Sequence, residues 1–285
     1  MPRESRDGIF FVLPSLIVLF VLTVYPLAYT LYLSFHEYGR KTSFQAVFVG
    51  LENFAEALGD DLFRTAFINT LVFVAGATSL ELLVGLGLAL LLSSNVRAKR
   101  YLVGIILVPM MLPTVVISSF WRIMYHTELG VINAILGAIG LGPVNWLGNP
   151  DTAMLSLILV DVWQYSPFSF IVFYAAINSI PVHLIESAKV DGASSYQIFR
   201  HIILPSIKKY ILIVAMLRII DTFRIFDKVF ALTGGGPGNS TETLSFVIYK
   251  EAFRYYNFGY SSAEAVIMLL AVLLIIAAYI RAIVR

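Results

Sequence analysis

The sequence predicts an all-α membrane protein, a bundle of six transmembrane helices with a polar helical segment on one side of the bilayer. Three observations carry that expectation. Of the 285 residues, 59% are hydrophobic and only 13% are charged, where soluble domains carry about 25% charged residues. The mean hydropathy is +0.83. Six apolar runs each reach the roughly 20 residues that a helix needs to cross ~30 Å of hydrocarbon, and Lys and Arg gather in alternate connections between them.

Taken in order, the spans fall near 9–35, 67–93, 102–124, 152–178, 207–232 and 262–283. They are expected to form one membrane domain over 1–285, since no repeat, low-complexity tract or proline-rich linker divides the chain. The first span follows Pro2-Arg3-Glu4-Ser5-Arg6, and its apolar run far exceeds the 7–15 residues of a signal-peptide core, so a membrane span is expected there. In the connection 36–66, Gly50 to Leu58 is patterned as a short amphipathic helix at the interface. Pro14, Pro26, Pro109, Pro113 and Pro167 lie inside or near the ends of apolar runs, where proline kinks a helix. Arg3, Arg6, Arg97, Lys99, Arg100, Lys189, Arg200, Lys208, Lys209, Arg281 and Arg285 fall on one side and outnumber Arg40, Lys41, Arg64, Lys250 and Arg254 on the other. By the positive-inside rule the first set, and with it both termini, is expected in the cytoplasm.

The connection 182–206 is unusual for so apolar a chain. Pro181 ends one helix, and Leu184 to Val190 return to a helical pattern. Asp191-Gly192-Ala193 interrupts it, because Gly192 can take the positive φ of a sharp turn. A second short helix, Ser194 to Ile203, starts on a serine cap, and Pro205 marks the start of the fifth span. Two amphipathic pieces around a fixed elbow read as a cytoplasmic docking surface rather than a linker.

These residues carry a resemblance. Glu186-Ser187-Ala188-Lys189-Val190-Asp191-Gly192-Ala193, followed by Ile203-Leu204-Pro205, closely resembles the E-A-A loop of ATP-binding-cassette (ABC) importer permeases, with Ser187 in place of the first alanine. Leu232-Thr233-Gly234-Gly235-Gly236-Pro237-Gly238-Asn239 is similar to an external loop of the sugar-permease branch, the maltose and glycerol-phosphate type. Gly50-Leu51-Glu52-Asn53-Phe54, Asn69-Thr70 and Gly130-Val131-Ile132-Asn133 match the same branch. The resemblance implies a type I importer permease, paired with a second permease subunit in the cell (inner) membrane and surrounded by lipid. It implies a coupling helix seated in a cleft of a cytoplasmic ATPase dimer, with Glu186 making the charged contact, Gly192 the close turn, and Ala188, Asp191 and Ala193 in the same segment. It places Gly234, Gly235, Gly236 and Pro237 at an external gate facing an extracellular or periplasmic solute-binding protein. This chain has no G-x-x-x-x-G-K-[ST] phosphate loop, so ATP and Mg belong to the ATPase and no cofactor is expected here.

Ionisable residues inside spans cost ~2.5–3.5 kcal/mol each and are functional candidates by default. The fifth span holds Arg218, Asp221, Arg224, Asp227 and Lys228. Spacings of three and four put Arg218, Asp221, Arg224 or Ile225, and Lys228 on one stripe, which cannot face lipid. Either Arg218 and Arg224 simply neutralise Asp221 and Asp227, or the stripe lines a path for sugar hydroxyls. The resemblance places the family's substrate contacts on Asp221, Thr222, Phe223 and Arg224, and in the fourth span on Asp161, Gln164, Tyr165 and Phe168. The latter four share a helical face, although aromatics here also serve for packing. Ser118 and Ser119 are further candidates, and Glu81 and Glu264 are acids whose expected role is helix–helix hydrogen bonding.

Other chemistry is disfavoured. The glycine-rich run 234–238 lacks a following lysine, and His36, His126, His183 and His201 have no partner at i+3 or i+4, so neither nucleotide nor metal binding is expected. No hydrolase signature points to catalytic residues, no basic block points to nucleic acid, and with no cysteine there is no disulfide or thiolate zinc site. The competing expectation is an ion-coupled secondary transporter or channel with the buried charges as a relay, which the lack of an inverted repeat weakens.

Overall fold

Apolar runs become helices because a bilayer offers backbone N–H and C=O groups no water, and a helix satisfies them within itself. A computed structural model describes residues 3–94 and 98–284, with side chains over 12–94 and 98–282. Pro2, Arg97 and Arg285, and the side chains of Arg3 and Arg6, lie outside the described residues. The chain divides into two compact units, one of residues up to Arg64 with Val247–Leu274, the other of Thr65–Phe246 with Ile275 onward.

In the first unit, α1 (Arg3–Ser34) leads to a two-stranded hairpin, β1 (His36–Glu37) against β2 (Val47–Phe48), and then to α2 (Glu52–Gly59). Strand pairing is antiparallel, His36 opposite Phe48. Asn53, nearly buried, donates through Nδ2 to the carbonyls of Ser34 at 3.1 Å and His36 at 3.0 Å. The Gly-Leu-Glu-Asn-Phe stretch is thus a fastener: Gly50 turns the chain at φ +63° and Asn53 bonds the carbonyls at the end of α1. No residue of α1 from Val12 to Tyr32 is buried against the chain, and only lipid or another chain can cover that length.

The second unit takes most of α3 (Asp61–Ser93), then α4 (Lys99–Met111), α5 (Thr114–Met124), α6 (Val131–Ala138), α7 (Pro150–Asn178), α8 (Val182–Val190), α9 (Ser195–Ile198) and α10 (Leu204–Phe223). The helices α11 (Leu244–Tyr249) and α12 (Phe258–Val284) complete the chain. The core of this unit packs Ala89 and Leu92 of α3 with Phe170, Phe173 and Ile177 of α7 and Ile207 and Val214 of α10. Close approach of α3 to α7 depends on Gly85, where a Cβ would lie 2.5 Å from the Ser169 Cβ and 2.8 Å from the Phe170 nitrogen. Small residues let membrane helices approach in this way.

Three expectations change. The third span, 102–124, is not one helix but α4 and α5, bent 97° from each other. Pro113 has no N–H to continue the ladder and forces Leu112 extended, at ψ 142°. The fifth span, 207–232, stops as an α-helix at Phe223, and a widened π turn follows at Val229–Thr233. The Ile225 carbonyl left by that break accepts from Thr243 Oγ1 at 3.2 Å. Finally, Ser194 to Ile203 is not a separate helix. α9 runs through a π turn, Phe199–Ile203, directly into α10, and Leu204 N–H bonds back to Phe199. The wider turn accommodates Pro205, which cannot donate to the preceding turn. Four helices, Val12–Ser34, Asp61–Ser93, Pro150–Asn178 and Phe258–Ala282, are each apolar and long enough to cross a membrane, and α4 with α5 qualifies as a bent pair. The charges of α10 set it apart from these.

Candidate functional site: a buried ion cluster and its cavity

Three helices of the second unit bring isolated charges to one place. Glu81 comes from α3, Asp161 from α7 and Arg218 from α10, while Lys228 follows the break after α10. Arg218 donates to Glu81 through Nε at 2.5 Å and Nη2 at 2.9 Å, a bidentate fork, and to Asp161 Oδ2 at 3.1 Å. Lys228 Nζ bonds the other oxygen of Asp161. All four side chains are almost wholly buried. Pairing is what makes this tolerable, since a charge without partners in such surroundings would cost several kcal/mol. Tyr165, one turn beyond Asp161, lies beneath both cations, with its ring centroid 4.3 Å from the Arg218 guanidinium carbon and 4.5 Å from Lys228 Nζ. Cation–π contacts of this kind favour desolvated cations.

Beside the cluster opens a cavity of about 400 Å³ lined by Thr114, Asp161, Tyr165, Arg218, Asp221, Thr222, Arg224, Ile225, Phe226, Asp227 and Lys228. Asp221 stands between two arginines, 3.5 Å from Arg218 Nη1 and 2.8 Å from Arg224 Nη2. Thr222 Oγ1 donates to the Arg218 carbonyl at 2.7 Å. The wall therefore offers carboxylates, guanidinium N–H groups, hydroxyls and the ring of Phe226, groups able to bond a solute rich in hydroxyls.

Of the eight residues expected to contact substrate, Asp161, Tyr165, Asp221, Thr222 and Arg224 line this cavity. The other three have different surroundings. Gln164 is buried and directs Nε2 to the Leu112 carbonyl at 3.4 Å and Thr114 Oγ1 at 3.3 Å, across the break between α4 and α5. Phe168 packs against the apolar core, and Phe223 is fully buried. The face shared by Asp161, Gln164, Tyr165 and Phe168 splits because α7 is surrounded on several sides, so residues at i, i+3, i+4 and i+7 meet different neighbours. Ser118 is buried away from the cavity, and Ser119 is exposed on α5 and bonds the Val115 carbonyl. The simple ladder expected within the fifth span, Arg218 and Arg224 against Asp221 and Asp227, is incomplete: the main partners of Arg218 lie on other helices. Glu81 is the member that spacing alone misses, and a lone acid in an apolar span is itself the signal for a buried basic partner. Glu264 in α12 is equally buried, and its Oε2 has no hydrogen-bond partner among the described residues.

The 182–206 connection is largely exposed, although Ile198 is buried. Glu186, Asp191 and Gly192 are exposed, with Ala188 and Ala193 half-buried. Gly192 takes φ +80°, and Ser194 and Gln197 form a capping box, Gln197 N–H to Ser194 Oγ at 3.3 Å and Ser194 N–H to Gln197 Oε1 at 2.7 Å. Beside Glu186, Val190 is 88% exposed and Val182 65%. The glycine-rich loop is ordered by its own chain. Gly234, Gly235 and Gly238 have positive φ, the Gly236–Pro237 bond is cis, and Thr241 Oγ1 donates to the Gly236 carbonyl at 2.7 Å. Asn69 Nδ2 reaches the carbonyls of Asn239 and Glu242, each at 3.0 Å, and Thr70 Oγ1 accepts from Leu244 N–H at 3.0 Å. Asn133 likewise joins Thr127 and Val144 and accepts from Trp146 Nε1 at 2.9 Å.

Comparison with known proteins agrees with this architecture. Residues 81–285 match the family described as "Binding-protein-dependent transport system inner membrane component". The trehalose/maltose transport system permease protein MalF of Thermococcus litoralis is 36% identical over 276 residues, covering 96% of this chain and 91% of that protein. The osmoprotective compounds uptake permease protein GgtC of Synechocystis is 35% identical over 277 residues, covering 95% and 96%. In fold, the chain superimposes on a chain of a bacterial ABC transporter involved in the import of the acidic polysaccharide alginate, with TM-score 0.84 and 23% identity over 97% of this chain and 95% of that one. The chain therefore belongs to the binding-protein-dependent transport system inner membrane components, and is a multi-pass ABC importer permease subunit rather than an enzyme.

Proposed function

We propose that the chain is one of two permease subunits of an ATP-driven carbohydrate importer and forms half of its translocation path. The observation that carries this is the placement of the polar cavity on α7 and α10, the two helices that the exposed 182–206 segment joins. A force applied to that segment reaches the cavity through one helix on each side. Relatives named for trehalose, maltose and osmoprotective compounds support a polyhydroxylated solute. In this reading α8 sits in a cleft of an ATPase dimer, with Glu186 in charged contact and Ala188 and the exposed Val182 and Val190 covered by the partner; apolar side chains so exposed call for one. Asp191, Gly192 and Ala193 hold the elbow. ATP and Mg reside on the ATPase, and this chain needs no cofactor of its own. Both termini and α8 face the cytoplasm, and Gly234, Gly235, Gly236 and Pro237 face the external solute-binding protein.

Closure of the ATPase dimer would draw α8 inward and rearrange α7 and α10 about the cavity, giving alternating access. Asp161, Tyr165, Asp221, Thr222 and Arg224 contact solute there, and Gln164, Phe168 and Phe223 hold the helices that present them. The test is reconstitution of the chain with its second permease, ATPase and binding protein in proteoliposomes. Uptake of labelled maltose or trehalose should require ATP. Uptake by this chain alone, driven by a proton gradient and indifferent to ATP, would overturn the reading in favour of ion coupling.

A further inference from the structure

Resting on the carbohydrate reading of the cavity, we propose that the site selects uncharged polyhydroxylated solutes and rejects anionic ones, whether phosphorylated, sulfonated or uronic. Composition alone suggests the opposite, because Arg218, Arg224 and Lys228 all line the wall. Their geometry reverses it. Arg218 is spread over Glu81, Asp161 and Asp221, at 2.5, 3.1 and 3.5 Å. Lys228 is held by Asp161, and Arg224 by Asp221 at 2.8 Å. Every cation of the wall thus has a carboxylate in place, and Tyr165 occupies a further face of the two buried ones.

Three carboxylates of the wall, Asp161, Asp221 and Asp227, stand against its three cations, so no positive charge is left over for an anion, and Asp221 and Asp227 are exposed residues. An anionic solute must displace a carboxylate from its partner while another faces it: at Arg218 and Lys228 that breaks a buried pair, which is strongly unfavourable, and at Arg224 it competes with the exposed Asp221. A hydroxyl meets no such conflict. It donates to spare carboxylate lone pairs and accepts from Thr114 or arginine N–H groups without separating an ion pair. Phe226 adds an apolar face for a sugar ring.

The test is saturation-transfer NMR on the assembled transporter in nanodiscs, with the binding protein omitted so that its own selectivity does not enter. The probes are maltose and trehalose against maltobionate and trehalose 6-phosphate at equal millimolar concentrations. The neutral sugars should bind about tenfold or more tightly than the anionic ones, since like charges juxtaposed in a site suppress the wrong partner. Asp221→Asn frees Arg224 and should narrow that gap by roughly threefold or more, within the range of exposed charge pairs. Anionic sugars binding the unaltered transporter as tightly as neutral ones would overturn this inference and leave the carbohydrate reading standing. So would an unchanged gap in Asp221→Asn. Absence of transfer to any of these sugars would overturn both.

Discussion

A guanidinium group carries five N–H donors in a rigid planar fork, and Arg218 uses that fork to join Glu81, Asp161 and Asp221, residues of three different helices. A lysine presents a single point charge there and cannot hold two carboxylates at fixed angles. Arg218→Ala is expected to destabilise the chain by ~3–5 kcal/mol because it leaves Glu81 buried without its cation. The paired substitution Glu81→Leu with Arg218→Leu removes both charges, leaves Asp161 with Lys228, and should restore most of that loss. Thermal unfolding in detergent of the single and double variants checks this, and a double variant no more stable than Arg218→Ala alone would contradict the pairing. The charged members of this site are legible in the sequence as ionisable residues inside apolar runs. The pairing is not, because Glu81 and Arg218 lie 137 positions apart, and no helical period relates residues on different helices.

Helices and loops show where local rules suffice and where they do not. Gly192, the serine cap and the helix from Val182 follow from backbone chemistry, since only a residue free to take φ +80° fits the elbow. Gly192→Ala should cost ~1 kcal/mol locally, readable as faster hydrogen exchange across 190–194. The breaks in the third and fifth spans are larger than the sequence alone dictates. Proline signals a kink, but its angle depends on the groups that receive the freed carbonyls. Gln164 of α7 does so for Leu112, and the break after α10, which no proline marks, relies in the same way on Thr243 for Ile225. The glycine-rich loop owes its order to Asn69, which caps two of its carbonyls from α3. Asn69→Ala removes both bonds, each worth ~1 kcal/mol, and should raise exchange rates over 236–244 while leaving α7 and α10 protected. Unchanged protection in the loop would show that Asn69 does not hold it.

At the scale of the molecule, a sequence without a phosphate-loop motif carries a polar cavity and an exposed helical segment on the same two helices. The family resemblance is legible because its motifs are mostly turns and fasteners, Asn53, Asn69, Asn133 and Gly192 among them, whose residue types are fixed by hydrogen bonds or positive φ. The cavity lining is only partly legible, since Gln164, Phe168 and Phe223 face helix neighbours that sequence spacing does not reveal. In the proposed importer, movement of the 182–206 segment drives access to the cavity. Its most direct test is Glu186→Ala combined with Gly192→Pro in the reconstituted importer, measuring sugar uptake and ATP hydrolysis in the same proteoliposomes. The assembled, correctly inserted variant should lose ATP-dependent uptake; undiminished uptake would show that the segment does not drive access.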